Sequence, residues 1–240
     1  MTGPDRAVAG IALPAIVLAG GLGTRLGALT AAMPKPLVTV GGRPVLDWIL
    51  AWLARTGVRD VHVLVGYLGD QIAAFVEDGR RWGLRARCSV ERSPLGTGGA
   101  LASVVDELPD AFLVVYGDSY LPIDYAALSH RFTTSGADAM MVVYHDADGG
   151  THVQPNAAIE GSHVARYAKG VAGLTHIDAG VVALRRRALD RLPTGASALE
   201  TDLYPALAAE GRLLAYPTPQ RFYDAGTPER LRELERVLSA

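Results

Sequence analysis

The chain has 240 residues, which is enough for one sizeable folded domain. Its composition of 49% hydrophobic and 20% charged residues is typical of a globular protein, and its formal net charge of -2 gives no electrostatic reason to expect nucleic acid or an anionic membrane as a partner. A single cysteine excludes an intramolecular disulfide and a cysteine-based metal cluster, and it fits a cytoplasmic location.

The amino-terminal residues are expected to form a short leader rather than a targeting signal. Pro14 interrupts the first apolar stretch, and Gly20 ends it well short of the roughly 20 apolar residues that a membrane-spanning helix needs. No other stretch comes closer to that length. We therefore expect a flexible leader over residues 1–13, a single domain over residues 14–240 and no membrane partner.

Through the first half of the chain, short apolar runs alternate with helical patterns, as in a parallel α/β sheet. The pattern predicts strands over residues 15–19, 37–40, 61–65, 86–90 and 112–116. It predicts helices over residues 45–56, 70–77 and 98–108. The first of these helices carries apolar residues at helical spacing, namely Leu46, Ile49, Leu50 and Leu53.

The second half of the chain is less regular. Its predicted strands cover residues 139–144, 156–159, 163–167, 180–184 and 213–216, and the shorter ones fit an antiparallel edge or lid. Its predicted helices cover residues 185–192, 199–210 and 228–238, with Thr227 as the N-cap of the last. Residues 145–151 are polar and glycine-rich and predict a loop. The whole pattern predicts one α/β domain with an inserted substrate-side subregion.

The most informative motif is a glycine-rich turn that directly follows the first strand. Gly20, Gly21 and Gly23 allow the backbone to turn sharply and to bring N–H groups close to a ligand. Arg25 then offers planar donors for phosphate oxygens, and Lys35 lies between two prolines. A glycine-rich turn alone is equally typical of an ordinary strand-to-helix connection. The added arginine and proline-flanked lysine favour a triphosphate site.

Three further features lie at or near predicted strand ends, where open α/β sheets bind ligands. Residues 91–99, ERSPLGTGG, could bring peptide groups to the edge of a flat base, or could cap the following helix. Asp118 follows the strand over residues 112–116, Asp224 precedes the last helix, and each could be a helix cap. Two such aspartates at one sheet edge could instead share a Mg²⁺ ion with phosphates.

These motifs together resemble the sugar-1-phosphate nucleotidyltransferases, and they occur in that family's order from about residue 15 onward. They read GGLGTRL with PKP, then LGTGGA, GDS and FYDAGTPE. Within the family, SPLGTGGA and YDAGTPERL are most similar to the D-glycero-D-manno-heptose 1-phosphate guanylyltransferases. The N-acetylmuramate-phosphate uridylyltransferases and the mannose-1-phosphate guanylyltransferases are close neighbours of that group.

The resemblance implies a Rossmann-like α/β fold with a mixed, mainly parallel sheet flanked by helices and a small sugar-side subregion. It implies transfer of a nucleotidyl group from an NTP, with GTP favoured, to a sugar 1-phosphate, with a heptose or related higher sugar favoured, and release of pyrophosphate. Arg25 would hold the departing β,γ-phosphates and Lys35 the reacting α-phosphate. Asp118 and Asp224 would bind Mg²⁺ between the two phosphate substrates.

The other site residues are likewise implied by the resemblance. Those expected to contact the nucleotide are Leu18, Ala19, Gly20, Gly21, Gly23, Thr24, Glu91, Gly96 and Thr97. Those expected to contact the sugar phosphate are Tyr116, Gly117, Lys169, Asp178, Gly180 and Glu200. Lys169 follows an alanine where the family usually has glutamate, so a merely exposed lysine is the alternative. Asp178 stands where many relatives carry asparagine, which could alter substrate choice, and Glu200 could simply be a first-turn helix acid.

Other functions are considered beside this expectation. The chain could transfer a uridylyl, cytidylyl or thymidylyl group to another sugar 1-phosphate, or bind nucleotide sugars without catalysis. Retention of Arg25, Lys35, Asp118 and Asp224 favours catalysis. A dinucleotide-dependent oxidoreductase is rejected, because the loop reads GGLGTRL and Gly66, not an acidic residue, follows the second buried strand. The resemblance is compatible with a homodimer, although no sequence feature marks an interface.

Overall fold

A computed structural model describes residues 10–21, 23, 26, 30 and 32–239. The strands are β1 (Ala15–Ala19), β2 (Thr39–Val40), β3 (Arg43–Pro44), β4 (Asp60–Val65), β5 (Arg85–Val90), β6 (Ala111–Tyr116), β7 (Ser119–Tyr120), β8 (Ala139–Tyr144), β9 (Ala157–Glu160), β10 (His163–Tyr167), β11 (Ile177–Arg185), β12 (Leu213–Thr218) and β13 (Tyr223–Asp224). The α-helices are α1 (Val45–Arg55), α2 (Gly69–Val76), α3 (Gly96–Ser103), α4 (Tyr125–Ser135), α5 (Tyr204–Ala209) and α6 (Pro228–Leu238). The division into a leader and one domain stays a prediction.

Nine of the described strands form one sheet in the order β5-β4-β1-β6-β11-β8-β12-β10-β9. β5, β4, β1 and β6 are parallel neighbours, and β8 and β12 are parallel to each other. β11 and β10 run antiparallel to both of their neighbours. All the other strands of the sheet therefore point the same way, which confirms the predicted mixed, mainly parallel sheet.

Buried apolar side chains form a core on each face of this sheet. Val17 and Val63 pack in the core that includes α1, α2, α4 and α6, whereas Ile16 and Leu64 pack in the core that includes α3 and α5. Successive strand residues thus serve opposite faces. Because helices cover both faces, these strands are almost wholly apolar, and that is why their sequences stand out. No helix in the described part of the chain has both the length and the apolar character to span a membrane.

The strand directions bring distant motifs to one edge of the sheet. β1, β5 and β6 end at the same edge, so the loops that follow them meet there. β11 runs the opposite way, and its Val181 pairs with Val115 of β6. Asp178, near the beginning of β11, therefore lies where β6 ends. This arrangement places Asp178, from the second half of the chain, beside the motifs of the first half.

Several element predictions are confirmed to the residue. The strands over residues 15–19, 139–144 and 163–167 and the helix over residues 228–238 have the predicted bounds. The Thr227 side chain accepts a hydrogen bond from the backbone N–H of Arg230 at 3.4 Å, as its predicted N-cap role requires.

Two predictions in the first half are wrong in detail. Residues 37–40 do not form one strand: a 3-10 turn covers Lys35–Leu37, and only β2 follows it, paired with β3 in a short hairpin. Pro34 and Pro36 explain the turn, because proline fixes φ and cannot donate to a sheet ladder. The helix predicted over residues 98–108 begins and ends earlier, as α3, and a 3-10 turn covers Val105–Glu107.

Helix predictions in the second half need a similar correction. Residues 185–192 contain a 3-10 helix over Arg186–Arg191 rather than an α-helix. The segment 199–210 begins as a wide π-type turn over Leu199–Leu203, and only then becomes α5. Pro205 explains the break, since it offers no N–H for a regular helical bond. α4 was not predicted from the sequence, although Asp124 is a suitable N-cap and accepts a hydrogen bond from the backbone N–H of Ala127 at 2.9 Å.

Candidate active site

Two adjoining cavities open at the sheet edge where β1, β5 and β6 end. The first, which we call the nucleotide-side cavity, is lined by Leu18, Ala19, Gly20, Gly21, Lys35, Pro36, Leu64, Glu91, Pro94, Gly96, Thr97, Ala100, Tyr116 and Asp118. The second, the sugar-side cavity, is lined by Tyr116, Asp118, Ser119, Val153, Gln154, Asn156, Tyr167, Lys169, Gly170, Asp178, Gly180, Glu200, Phe222, Asp224 and Arg230. Tyr116 and Asp118 belong to both, so they mark the junction of the two cavities.

An ion pair stands at this junction. The Nζ of Lys35 donates a hydrogen bond to Oδ2 of Asp118. Lys35 is only 8% exposed, so its charge is held in a largely dry position where electrostatic interactions are strong. The other carboxylate oxygen of Asp118 accepts a hydrogen bond from the Ser119 hydroxyl at 3.2 Å. A fixed cation and a fixed carboxylate thus face the place where two ligands would meet.

A two-stranded ribbon brings the second aspartate to the same corner. β7 and β13 pair antiparallel, with Asp224 opposite Ser119. The backbone N–H of Ala225 also donates to the carbonyl oxygen of Asp118 at 2.9 Å. Asp224 accepts from the N–H of Gly226 at 2.7 Å and from Nη1 of Arg230 at 3.0 Å. Asp118 therefore pairs with Lys35, and Asp224 pairs with Arg230. Both aspartates lie at the same two-stranded ribbon.

The two carboxylates fit a magnesium site that is completed by ligands. Among the residues that the structure describes, no group of three or more His, Cys, Asp or Glu side chains could enclose a metal ion. Mg²⁺ characteristically binds one or two carboxylates together with substrate phosphates and water. Asp118 and Asp224 supply that pair of hard oxygen ligands. Bound metal would compete with Lys35 and Arg230 for the same oxygens.

The nucleotide-side cavity is built largely from backbone. At Gly20, a Cβ would lie 3.0 Å from Oε1 of Glu91, so the Glu91 side chain would have to shift to accommodate any larger residue. Oε2 of Glu91 accepts from the N–H of Leu95 at 3.2 Å, and burial raises the pKa of this carboxyl. Gly96 has φ +72°, and a Cβ on it would lie 2.4 Å from the carbonyl oxygen of Ser197. The chain here approaches itself too closely for any side chain.

Most of the predicted nucleotide contacts meet in this cavity. Leu18, Ala19, Gly20, Gly21, Glu91, Gly96 and Thr97 all line it. Gly23 does not; it packs against Lys35, and its carbonyl oxygen accepts a hydrogen bond from Thr30 Oγ1 at 3.0 Å. Thr24 and Arg25 lie outside the described residues, so their predicted roles stay predictions.

Glu200 organises the sugar-side cavity. Its carboxylate accepts from the Tyr116 hydroxyl at 2.8 Å and from Thr97 Oγ1 at 2.7 Å. Thr97 Oγ1 in turn accepts from the N–H of Leu199 at 2.9 Å, which fixes the hydroxyl. Lys169 Nζ lies 3.9 Å from Oε1 of Glu200, although its side chain is 62% exposed. Lys169 thus borders the cavity while remaining largely in solvent.

Asp178 is the second carboxylate of this cavity. Its backbone N–H donates to Oδ1 of Asn156 at 2.8 Å, and its Oδ1 accepts from the N–H of Gly180 at 2.9 Å. The Tyr167 hydroxyl lies 3.4 Å from its Oδ2. Burial, with a smaller contribution from the nearby charge of Glu200, raises the pKa of Asp178 to about 7. Its proton can therefore exchange near neutral pH.

All but one of the residues predicted to contact the sugar phosphate line the sugar-side cavity. Tyr116, Lys169, Asp178, Gly180 and Glu200 all line the cavity. Gly117 lines neither cavity; its N–H donates to the carbonyl oxygen of Leu18 at 2.9 Å and joins β6 to β1.

Several residues that line the sugar-side cavity were not predicted from the sequence, and three of them, Asn156, Tyr167 and Arg230, bond its aspartates. Of these three, only Arg230 could have been found from the sequence, because it belongs to the YDAGTPERL motif.

The comparison with known proteins agrees with this geometry. A family model described as nucleotidyl transferase matches residues 14–150, more than half of the chain. The chain belongs to this family. That result confirms the family resemblance seen in the sequence motifs, and the matched segment contains Lys35, Glu91 and Asp118.

Curated relatives of this family member are longer proteins. The mannose-1-phosphate guanylyltransferase of Mycobacterium tuberculosis is 33% identical over 220 residues, which are 90% of this chain and 61% of that protein. The probable mannose-1-phosphate guanylyltransferase 1 of Oryza sativa subsp. japonica is 30% identical over 224 residues, with 90% and 62% covered. The chain thus spans less than two thirds of the length of these relatives.

A solved structure matches this nucleotidyl transferase family member over nearly its whole length. HddC from Yersinia pseudotuberculosis, crystallised in complex with GMP-PN, superimposes with a TM-score of 0.81 at 26% identity. The match covers 94% of this chain and 99% of HddC. The fold is therefore the nucleotidyltransferase fold, as the sequence motifs implied.

Proposed function

We propose that this protein transfers a nucleotidyl group from an NTP to a sugar 1-phosphate and releases pyrophosphate. The observation that carries the proposal is the Lys35–Asp118 ion pair, which stands where the nucleotide-side and sugar-side cavities join. A nucleotide in one cavity and a sugar in the other would place their phosphates against this pair.

The chemistry needs charge neutralisation more than proton transfer. The attacking group is a phosphate oxygen of the sugar 1-phosphate, already ionised near neutral pH, so no general base is required. The obstacle is repulsion between two polyanions. Lys35 would hold the α-phosphate of the NTP, and fixed geometry would set the attacking oxygen in line with the leaving pyrophosphate. Arg25 is proposed to hold the departing β,γ-phosphates.

Asp118 and Asp224 are the residues that would hold Mg²⁺. When bound, the metal would neutralise phosphate charge and help to align the two substrates. The chain's own contribution is to hold Asp224 on β13 and Asp118 directly before the paired strand β7, so that both residues line the same cavity. Lys35 and Arg230 would balance the aspartate charges before the metal and phosphates arrive.

GTP is the proposed nucleotide. Two considerations support it: the curated relatives are named as guanylyltransferases, and HddC was crystallised with GMP-PN. Glu91, Gly96 and Thr97 are the proposed nucleoside contacts, together with the backbone at the end of β1. The protonated fraction of a carboxyl such as Glu91 could donate a hydrogen bond, and its ionised form could accept one.

A heptose or related higher sugar 1-phosphate is the proposed second substrate, on the strength of the sequence motifs. Glu200 and Asp178 offer carboxylate oxygens to sugar hydroxyls, and Lys169 offers a cation for the sugar phosphate. We also propose that the protein acts in the cytoplasm and forms a homodimer.

A substrate panel tests the reaction and both specificities. The five common NTPs are each paired with several sugar 1-phosphates, including mannose and heptose forms, and pyrophosphate release is measured with Mg²⁺ present. We expect turnover to be fastest with GTP and a heptose 1-phosphate. Faster turnover with another base or sugar would overturn that specificity and keep the reaction class. No pyrophosphate from any pair, with a folded protein, would overturn the reaction itself.

A further inference from the structure

A cleft on another part of the surface is rich in arginine. Arg43, Arg55, Arg59 and Arg81 line it around two half-buried alanines of α1 and the indole of Trp82. It shares no lining residue with either cavity of the candidate active site. None of its lining residues is acidic.

Aromatic rings hold two of the guanidinium groups in place. Arg81 lies 3.9 Å from the centre of the Trp82 ring system and 4.0 Å from that of Phe75. Arg43 lies 4.2 Å above Trp48. Stacking of this kind orients the planar group. Nη2 of Arg81 also donates to the carbonyl oxygen of Phe75, and Nε of Arg43 donates to Asp47, so the remaining N–H groups of each guanidinium are the ones that can bind an anion. Less side-chain entropy then remains to be lost on binding.

The other two arginines are anchored at the end of α1. Arg55 lies over the Trp52 ring at 5.4 Å. Nη1 of Arg59 donates to the carbonyl oxygens of Ala54 and Val58, each at 2.9 Å. All four guanidinium groups of the cleft are thus positioned by neighbours other than a ligand.

The positive charge of the cleft is mostly uncompensated. Asp47 pairs with Arg43, and its other oxygen accepts from Nε1 of Trp82 at 2.8 Å. Arg55, Arg59 and Arg81 have no carboxylate within ion-pair distance in the described part of the chain. The whole chain has a formal net charge of -2, so this concentration of cations is local.

A purely structural explanation covers only part of the cluster. Basic side chains near a helix carboxyl end interact favourably with its exposed carbonyl groups, and this accounts for Arg55 and Arg59. It does not explain why Arg43, which lies before α1, and Arg81, which comes from a separate turn, line the same cleft, although each has structural partners of its own. Three chain segments thus bring four arginines to one cleft, where Asp47 is the single carboxylate that pairs with any of them in the described part of the chain, and this excess of positive charge favours an external anion.

We propose that this arginine cleft binds a small anion carrying two or more phosphate groups. Arginine forks match phosphate oxygens, and four of them at one cleft favour several linked phosphates over a single one. Such a ligand is either an inorganic polyphosphate or the phosphate tail of a nucleotide. The proposal is independent of the proposed catalytic function.

Calorimetric titration with inorganic tripolyphosphate tests the site. The titration uses the full chain carrying Lys35→Ala, which weakens binding at the active-site corner. We expect one saturable binding event in this background, and at least a tenfold loss of affinity when Arg55→Gln and Arg81→Gln are added. The matched control adds Arg131→Gln and Arg166→Gln, two exposed arginines outside the cleft, and should leave the affinity unchanged. Equal affinities in the cleft and control variants would overturn the proposal.

Two further measurements keep the test decisive. Trp82 lines the cleft, so tripolyphosphate should change tryptophan fluorescence, and Trp82→Phe should reduce that change; a residual signal would come from Trp48 and Trp52, which stack with Arg43 and Arg55. If the double variant does not fold, Arg55→Gln alone should still weaken the titration. Orthophosphate binding as tightly as tripolyphosphate would overturn the multi-phosphate assignment. Comparing CTP with tripolyphosphate identifies the source: equal affinity indicates recognition of phosphates alone, and tighter CTP binding indicates a nucleotide.

Discussion

The two cavities of the candidate active site are built on different principles. The nucleotide-side cavity presents backbone and glycine, with Gly96 held too close to a backbone carbonyl oxygen for a side chain. The sugar-side cavity presents side chains that bond one another, with Glu200 held by Tyr116 and Thr97. The first can approach a ligand closely, and the second can sort ligands by their hydroxyl pattern. Substrate choice should therefore respond to side-chain changes mainly on the sugar side.

The largest effect is expected where the two cavities join. Lys35→Ala and Asp118→Ala should each lower pyrophosphate release by about a thousandfold, because each removes a charge placed against the reacting phosphates. Steady-state assays with saturating substrates measure this, and circular dichroism checks folding. Arg166→Ala, the loss of an exposed cation, is the control and should retain full activity. Turnover within tenfold of the unaltered chain would remove Lys35 from the mechanism.

The second prediction concerns the buried carboxyl of the sugar side. The pKa of Asp178 is about 7 in the folded chain against 3.8 as its ordinary value. A carboxyl whose pKa is higher in the folded chain than in the unfolded chain lowers the free energy of unfolding as the pH rises between the two pKa values. Asp178→Asn should therefore gain about 3 kcal/mol in free energy of unfolding, relative to the unaltered chain, between pH 5 and pH 8.

Urea denaturation at the two pH values measures this difference. Asparagine can keep the bond from the Gly180 N–H, so the variant should fold. Asp148→Asn changes an exposed carboxyl and should show no such pH-dependent gain. A pH-independent difference for Asp178→Asn would show that this carboxyl is ionised throughout.

The third prediction tests the close approach on the nucleotide side. Gly96→Ala combines a positive φ with a Cβ placed 2.4 Å from the carbonyl oxygen of Ser197, so it should lower the free energy of unfolding by about 2–3 kcal/mol. Gly21→Ala is the control, since a Cβ there has no atom within 4 Å. Chemical denaturation compares the two. Equal free energies of unfolding for the two variants would mean that the turn over residues 91–99 shifts easily to accommodate the added methyl group.

The smallest expected effect is a rise in the KM for only one of the two proposed substrates. Tyr116→Phe removes one donor from Glu200 and leaves the ring, so the KM for the sugar 1-phosphate should rise about tenfold. The KM for the NTP should stay within about twofold. Tyr125→Phe removes a hydroxyl that bonds Leu121 instead, and both KM values should remain unchanged. Equal rises in both KM values for Tyr116→Phe would contradict the division between the cavities.

Much of the fold follows from local sequence, whereas much of the site does not. Strands such as β1 and β8 are visible because burial on both faces demands continuous apolar residues. Residues 199–210 were wrongly predicted as one helix from their apolar pattern, although Pro205 interrupts the regular helical hydrogen bonding. Asp118 could be located by its place after a buried strand. Asn156 and Tyr167 could not, because only tertiary folding brings them to Asp178.

The hydrogen bond from Thr97 to Glu200 has a consequence for how ligands bind. Thr97 lines the nucleotide-side cavity and Glu200 lines the sugar-side cavity, yet they are only 2.7 Å apart. A ligand that alters this bond from either side changes the free energy of binding on the other. Thermodynamic linkage makes the effect reciprocal, so any factor by which the proposed nucleotide changes the affinity for the proposed sugar phosphate must equal the factor by which the sugar phosphate changes the affinity for the nucleotide. One shared hydroxyl can thus couple the binding of the two proposed substrates.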